Sequence, residues 1–151
     1  MPDAFILDPR LAAESLPLGA LELCEARLFN DARFPWLILV PARAGLVEII
    51  DLDPAHQELL LQDVALASQA LKSVTNCHKL NVAALGNQVR QLHVHVIARF
   101  ESDDAWPSPV WGRGARVPYA PEAAAAFTQR MKSALGLRGR RAASEPRRQT
   151  K

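Results

Sequence analysis

GNQVRQLHVHVIAR, residues 86–99, is the one stretch of the chain where polar and titratable side chains recur strictly at every second position. In an extended strand successive side chains point to opposite faces, so Gln91, His93 and His95 fall on one face and Leu92, Val94 and Val96 on the other. The apolar row packs, which leaves the polar row for chemistry. At a rise of about 3.3 Å per residue, neighbours in the polar row stand roughly 6.6 Å apart at their Cα atoms, close enough to grip one small anionic group together. Gly86-Asn87, just upstream, is a turn signal, and glycine lets backbone N–H groups come close to a ligand. The stretch therefore reads as a turn that can hold phosphate, followed by a strand that can attack it.

Two histidines on one strand also fit other chemistry. Neutral imidazole is a common zinc ligand, and a single histidine is often structural. A structural zinc site needs four ligands, but Cys24 and Cys77 lie far apart and neither stands in a CxxC or CxxH pattern. A catalytic zinc site would need a third ligand from His56, His78, Asp103 or Asp104, and none has a diagnostic spacing. From the residues alone, phosphate chemistry, metal binding and structural histidines all stay open.

A chain of 151 residues, 49% hydrophobic, is enough for one core, and nothing in it suggests a second domain. No apolar run reaches the roughly 18 residues of a membrane span, and an N-terminus with Asp3 and Asp8 and no basic segment does not read as a signal peptide. A soluble cytoplasmic protein with free thiols is the expectation. Charge is unevenly placed. Residues 136–151 carry six basic side chains against one acidic, a net +5 in a chain of net +2, so the rest is at −3. Such a Gly, Ala, Ser and Arg mixture cannot bury enough apolar surface to offset chain entropy, and it reads as a disordered basic tail. The tail could touch nucleic acid through phosphates, but a solvated extension is the favoured reading.

In chain order, Pro17 to Gly19 punctuates the stretch before a strand over 21–29. Asn30 to Pro35 makes a hairpin into a buried strand over 36–40, closed by Pro41. A third strand is expected over 46–51. Asp53-Pro54 starts a helix whose apolar stripe is Leu60, Val64, Ala67, Leu71 and Val74, and Asn76 can end it in the left-handed conformation. His56 and His78 read as surface or capping residues. Residues 79–85 alternate and pair across Gly86-Asn87 with the histidine strand. Trp106 and Trp111 sit in a proline-rich segment suited to covering a core edge or a partner, and less often to stacking on a base, and 121–135 is helical. The fold class is α+β: a five-stranded antiparallel sheet with one long helix and a C-terminal helical extension, a domain over 1–135.

The Gly86–Arg99 stretch resembles the signature of the histidine triad (HIT) superfamily, a glycine-containing turn leading into His-φ-His-φ-His-φ-φ, with φ apolar. The pattern falls on Gln91, Leu92, His93, Val94, His95, Val96 and Ile97, with Gln91 in place of the first histidine. The resemblance covers about residues 4–107. It implies a HIT-like fold and a dimer with a continuous sheet. It also implies a nucleotide substrate, with no cofactor and no metal. His93, at the family's nucleophile position, would attack an α-phosphate and form a covalent nucleotidyl-histidine that water hydrolyses. His95 and the backbone of Asn87, Gln88 and Val89 would hold phosphate oxygens. Asn30 or Asp31 would meet the ribose, although both also read as plain turn residues, and Asn81 and Asn87 match polar nucleotide contacts. The implied activity is hydrolysis or nucleotidyl transfer on a dinucleoside polyphosphate or nucleoside phosphoramidate. The alternatives are a nucleotide-binding module with little turnover and a metal-dependent hydrolase.

Overall fold

A computed structural model of the protein describes residues 3–137. The elements in order are α1 (Pro9–Glu14), β1 (Ser15–Ala20), β2 (Cys24–Phe29), β3 (Trp36–Pro41), α2 (Pro54–Thr75), β4 (Lys79–Ala83), β5 (Val94–Arg99) and α3 (Pro121–Ala134). The strands form one antiparallel sheet in the order β1-β2-β3-β5-β4. This is the α+β, HIT-like arrangement expected from the sequence. Among the described residues no helix is long and apolar enough to cross a membrane.

Alternation divides the sheet into two working faces. Ala26, Leu28, Leu37, Leu39, Val94, Val96 and Ala98 turn towards α2 and α3 and join Leu60, Ala67, Leu71 and Met131 in the larger core. The opposite face carries Trp36, Ile38, Val40 and Ile97, covered by α1 and by the loops that bring Phe34, Val89, Ala105 and Val110. Arg27, Ile38, His95 and Ala83 lie opposite one another across four strands, so His95 belongs to this second face.

The long helix begins and ends as its sequence dictates. The Asp53 carboxylate accepts the His56 N–H at 2.9 Å, Pro54 opens the first turn, and Asn76 closes the helix at φ 51° and ψ 41°. His56 and His78 are tied to surface carboxylates, those of Asp53 and Glu101. Asp63, inside α2, is almost completely buried. Its carboxylate accepts the N–H groups of Glu22, Leu23 and Cys24 at 3.3, 2.9 and 2.8 Å, which fixes the β1–β2 turn to the helix. Burial, reinforced by this carboxylate, pushes the Cys24 thiol far up, so it stays protonated and unreactive.

Two strand assignments change. The expected strand over 46–51 is an irregular segment ending in a short 3₁₀ turn, Ile49–Asp51. Asp51 accepts the Val47 and Glu48 N–H groups at 3.0 and 2.8 Å, so a local side-chain partner takes donors that a strand would have given to a neighbour. The fifth strand is instead β1, whose Pro17 and Gly19 had read as punctuation. It is an edge strand with a bulge between those residues, the setting in which a sheet tolerates proline and glycine. The strand expected over 21–29 is correspondingly shorter, because Leu21 to Leu23 form the turn that Asp63 holds. Past residue 135, Leu137 packs beside the core and against Gly19. The remainder of the basic tail, 138–151, lies outside the described residues.

Candidate functional site

β4 ends at Ala83 and β5 begins at Val94, so the residues between them are not a tight turn but a loop folded over the second face of the sheet. Gly86 takes φ +75°, the left-handed conformation that favours glycine, at the point where this loop reverses. Together with α1, β2, β3 and Trp111 the loop encloses a cavity of about 380 Å³. His93, His95, Asn87, Gln88 and Val89 all line it.

His93 stands one residue before β5, with its ring 4.8 Å from that of His95. Its Nδ1 lies 2.7 Å from the Gln91 carbonyl oxygen. A carbonyl can only accept, so Nδ1 carries the proton and Nε2 keeps its lone pair. His95 has the opposite arrangement. The indole Nε1–H of Trp36 donates to His95 Nδ1 at 2.9 Å in a buried contact, which makes Nδ1 an acceptor and places the ring proton of the neutral form on Nε2. Burial, with His93 nearby, pushes the His95 imidazole down to about 3, so at neutral pH it is an uncharged donor. Neither Nε2 has a partner among the described residues, and no side-chain polar atom there is buried without one. The site therefore offers a nucleophilic nitrogen and a neutral N–H donor side by side.

Gln91 continues the row in sequence but turns away from the cavity. Its Nε2 donates to the Ile6 carbonyl and its Oε1 accepts the Asp8 N–H, both at 2.8 Å, which clasps the N-terminal segment to the approach of β5. Asp8 in turn caps α1, which supplies Leu11 and Glu14 to the cavity wall.

Asn30 and Asp31 follow Phe29, which lines the cavity, but their side chains are engaged elsewhere. Asn30 Oδ1 accepts the Tyr119 N–H at 2.9 Å. Asp31 is buried and paired with Arg33 at 2.8 Å, and it accepts the Val117 N–H. Burial works against its charge, yet the bonds from Arg33 and Val117 hold its carboxyl below the usual range. Asn81 lies on the correct face of β4 but accepts from Arg99 at 2.8 Å, outside the cavity.

Sequence reasoning missed the aromatic wall. Phe29 and Trp36 are 4.3 Å apart at their ring centroids, and Trp111 stands edge-on to Trp36 at 5.6 Å and to His95 at 5.1 Å. Trp36 had a signal in the alternation, since a strand residue two before Ile38 shares its face. Trp111 stood out only as a loop tryptophan, and nothing local placed it at the histidines, because its position depends on a distant network. Buried Arg99 bonds Asp103 at 2.7 and 3.1 Å and the Ser108 carbonyl at 2.8 Å, and Asp103 also accepts the Phe100, Ala105 and Trp106 N–H groups. This fastens the segment ahead of Trp111, so the tryptophan segment folds onto its own chain.

The HIT domain family model matches residues 11–102. Three solved histidine triad proteins are similar in sequence and fold. The one from Sinorhizobium meliloti is 49% identical, with TM-score 0.84, covering 85% of this chain and 96% of that one. The protein from Bradyrhizobium japonicum is 43% identical (TM-score 0.86; 88% and 99% covered), and that from Marinobacter aquaeolei is 42% identical (0.86; 89% and 98%). No curated protein matches the chain. The two histidines on the second sheet face, the loop closing over them and a match across most of the domain agree: this chain belongs to the histidine triad family.

Proposed function

We propose that this protein is a nucleotide hydrolase or nucleotidyl transferase that attacks the α-phosphate of a dinucleoside polyphosphate or nucleoside phosphoramidate through His93. Family membership suggests nucleotide binding or hydrolysis in general. The observation that carries the finer reading is the His93 Nδ1 bond to the Gln91 carbonyl, which holds the Nε2 lone pair free. Nε2 forms a bond to phosphorus while the leaving group departs with the electrons of its own bond. Water then adds to phosphorus, the N–P bond returns its electrons to Nε2, and the proton of water leaves to solvent. His95 Nε2–H and the backbone of Asn87, Gln88 and Val89 meet the phosphate oxygens. The base has an apolar and aromatic wall in Phe29, Ile38, Trp36 and Trp111. Asp31 reaches a ribose only by exchanging its present partners, Asn30 has its Oδ1 alone occupied, by the Tyr119 N–H, and Asn81 would have to leave Arg99.

The test is capture of an acid-labile nucleotidyl adduct on the protein by mass spectrometry. Wild type should accumulate it, whereas His93→Ala should form none, bind nucleotide still, and lose at least about a thousandfold in kcat. Near-normal turnover by the variant would sink the assignment.

A second reading, a nucleotide-binding module with little turnover, is favoured by one observation: Gln91 is fully engaged with the N-terminal segment and supplies no acid. Tight binding without turnover would support it. The metal-dependent alternative has no such support, since no three histidine, cysteine or carboxylate groups converge for a metal among the described residues. We also propose a homodimer and a cytoplasmic location. β4 is an edge strand that carries the exposed Val82, and an open edge of this kind is protected by pairing with a second copy.

A further inference from the structure

The His95 side chain is surrounded in a way that nucleotide chemistry does not require but that would control it. Its Nδ1 faces a group that can only donate. Trp36 is itself fixed: it is buried, pairs with Ile97 across β3 and β5, and is held between Phe29 and Trp111. Moving its indole would disturb both contacts, so it is His95 that must adapt. Protonating His95 would set an Nδ1–H against the indole N–H at 2.9 Å, two donors with no acceptor between them. The other titratable or charged groups around it are few. His93 is its ring neighbour, Glu14 of α1 lines the same cavity, and Arg27 lies two strands away in the same row, where it bonds Ser15. β4 presents only Ala83.

We infer that Trp36 is a positioning residue that locks His95 as a neutral, Nε2-protonated donor, so that the site recognises phosphate without an imidazolium and suits leaving groups that depart as stable anions. The inference rests on the nucleotide-transfer reading for its consequence, but the lock itself is a property of the unliganded protein. Gln91, whose amide cannot change charge, is clasped to Ile6 and Asp8. With His95 held neutral, neither Gln91 nor His95 carries a cationic proton to give to a leaving amine. A nucleoside phosphate leaves as an anion and needs none, which makes a dinucleoside polyphosphate the better substrate class and an alkylamine phosphoramidate the poorer one.

The lock is read by long-range proton–nitrogen correlation spectra of the histidine rings in wild-type protein. His95 should show protonated Nε2 and bare Nδ1 from about pH 7 to about pH 5. Trp36→Phe removes the N–H and keeps an aromatic ring. In it His95 should populate both tautomers across that range, because burial and His93 still oppose its protonation. Its kcat on a dinucleoside polyphosphate should fall about five- to tenfold at neutral pH with little change in KM, the worth of one neutral hydrogen bond. The loss should follow the fall in the Nε2-protonated fraction read from the spectra. A purely structural role would lower kcat with the His95 tautomer unchanged. A wild-type His95 that is Nδ1-protonated, or that titrates near pH 6, overturns the inference, as does a Trp36→Phe variant whose His95 stays wholly Nε2-protonated. The spectra of wild type decide the lock even if the variant fails to fold. The two readings also fail separately. A locked His95 in a protein that turns over no nucleotide upholds the lock and removes the nucleotide reading. Turnover with an unlocked His95 does the reverse.

Discussion

At Gln91, one side-chain amide makes two main-chain bonds to residues more than eighty positions away. An amide suits this because its donor and acceptor sit side by side on one planar group, whereas the two nitrogens of an imidazole lie on different edges of the ring. Replacing Gln91 with Ala removes both bonds, at a cost of about 1–2 kcal/mol. Amide exchange over residues 5–12 should then quicken by about tenfold while β3 and β5 keep their protection. Unchanged exchange in the N-terminal segment would show that the clasp contributes nothing. Replacing Gln91 with His tests the same position chemically: if acid catalysis matters there, kcat/KM should rise more for a phosphoramidate than for a dinucleoside polyphosphate. Equal ratios for the two substrates would mean that residue 91 plays no part in substrate choice.

Among elements, the segment from Phe100 to Trp111 depends most on a single charge. Burial opposes ionisation of Asp103, but bonds from the Arg99 guanidinium and from three backbone N–H groups prevail, and its carboxyl is held down at about 2 against an ordinary 3.8. A depressed carboxylate contributes stability that is present above the unfolded value and lost as pH falls through the folded one, so the window runs from about pH 4 to about pH 2. The contribution is about 2 kcal/mol. Asp103→Asn should therefore be less stable than wild type at neutral pH, with the gap in urea unfolding closing towards pH 2. A gap that stays constant with pH would assign the effect to shape rather than charge. This network was not legible in the sequence, because nothing marks Asp103 as the partner of Arg99 until the turn between them is drawn. α2 was legible from Asp53-Pro54, the apolar stripe and Asn76, whose signals are all local. β1 was not, since Pro17 and Gly19 argue against a strand unless it is known to lie at an edge. The segment over 46–51 failed for the converse reason: its apolar residues suggested a strand, and Asp51 folded it locally instead.

For the molecule as a whole, the HxH pattern announced the family and the face on which His95 would stand, because a period of two is a geometric statement. It could not announce what closes the site, which is contributed by α1, by Trp36 from β3 and by a tryptophan after the last strand. Assembly follows from the same sheet. With β4 open on one side, sedimentation at micromolar concentration should show two chains, and a charged replacement such as Val82→Lys should shift the equilibrium towards one. A monomer at every concentration tested would refute pairing through that edge. The aromatic wall also has an optical meaning. Of the three tryptophans in the chain, Trp36 and Trp111 line the cavity, whereas Trp106 stands beside His78 and Arg99. Two of the three intrinsic fluorophores thus look directly onto any occupant, and a stacked base would quench them while leaving the third as an internal reference, so the protein reports its own occupancy without a label.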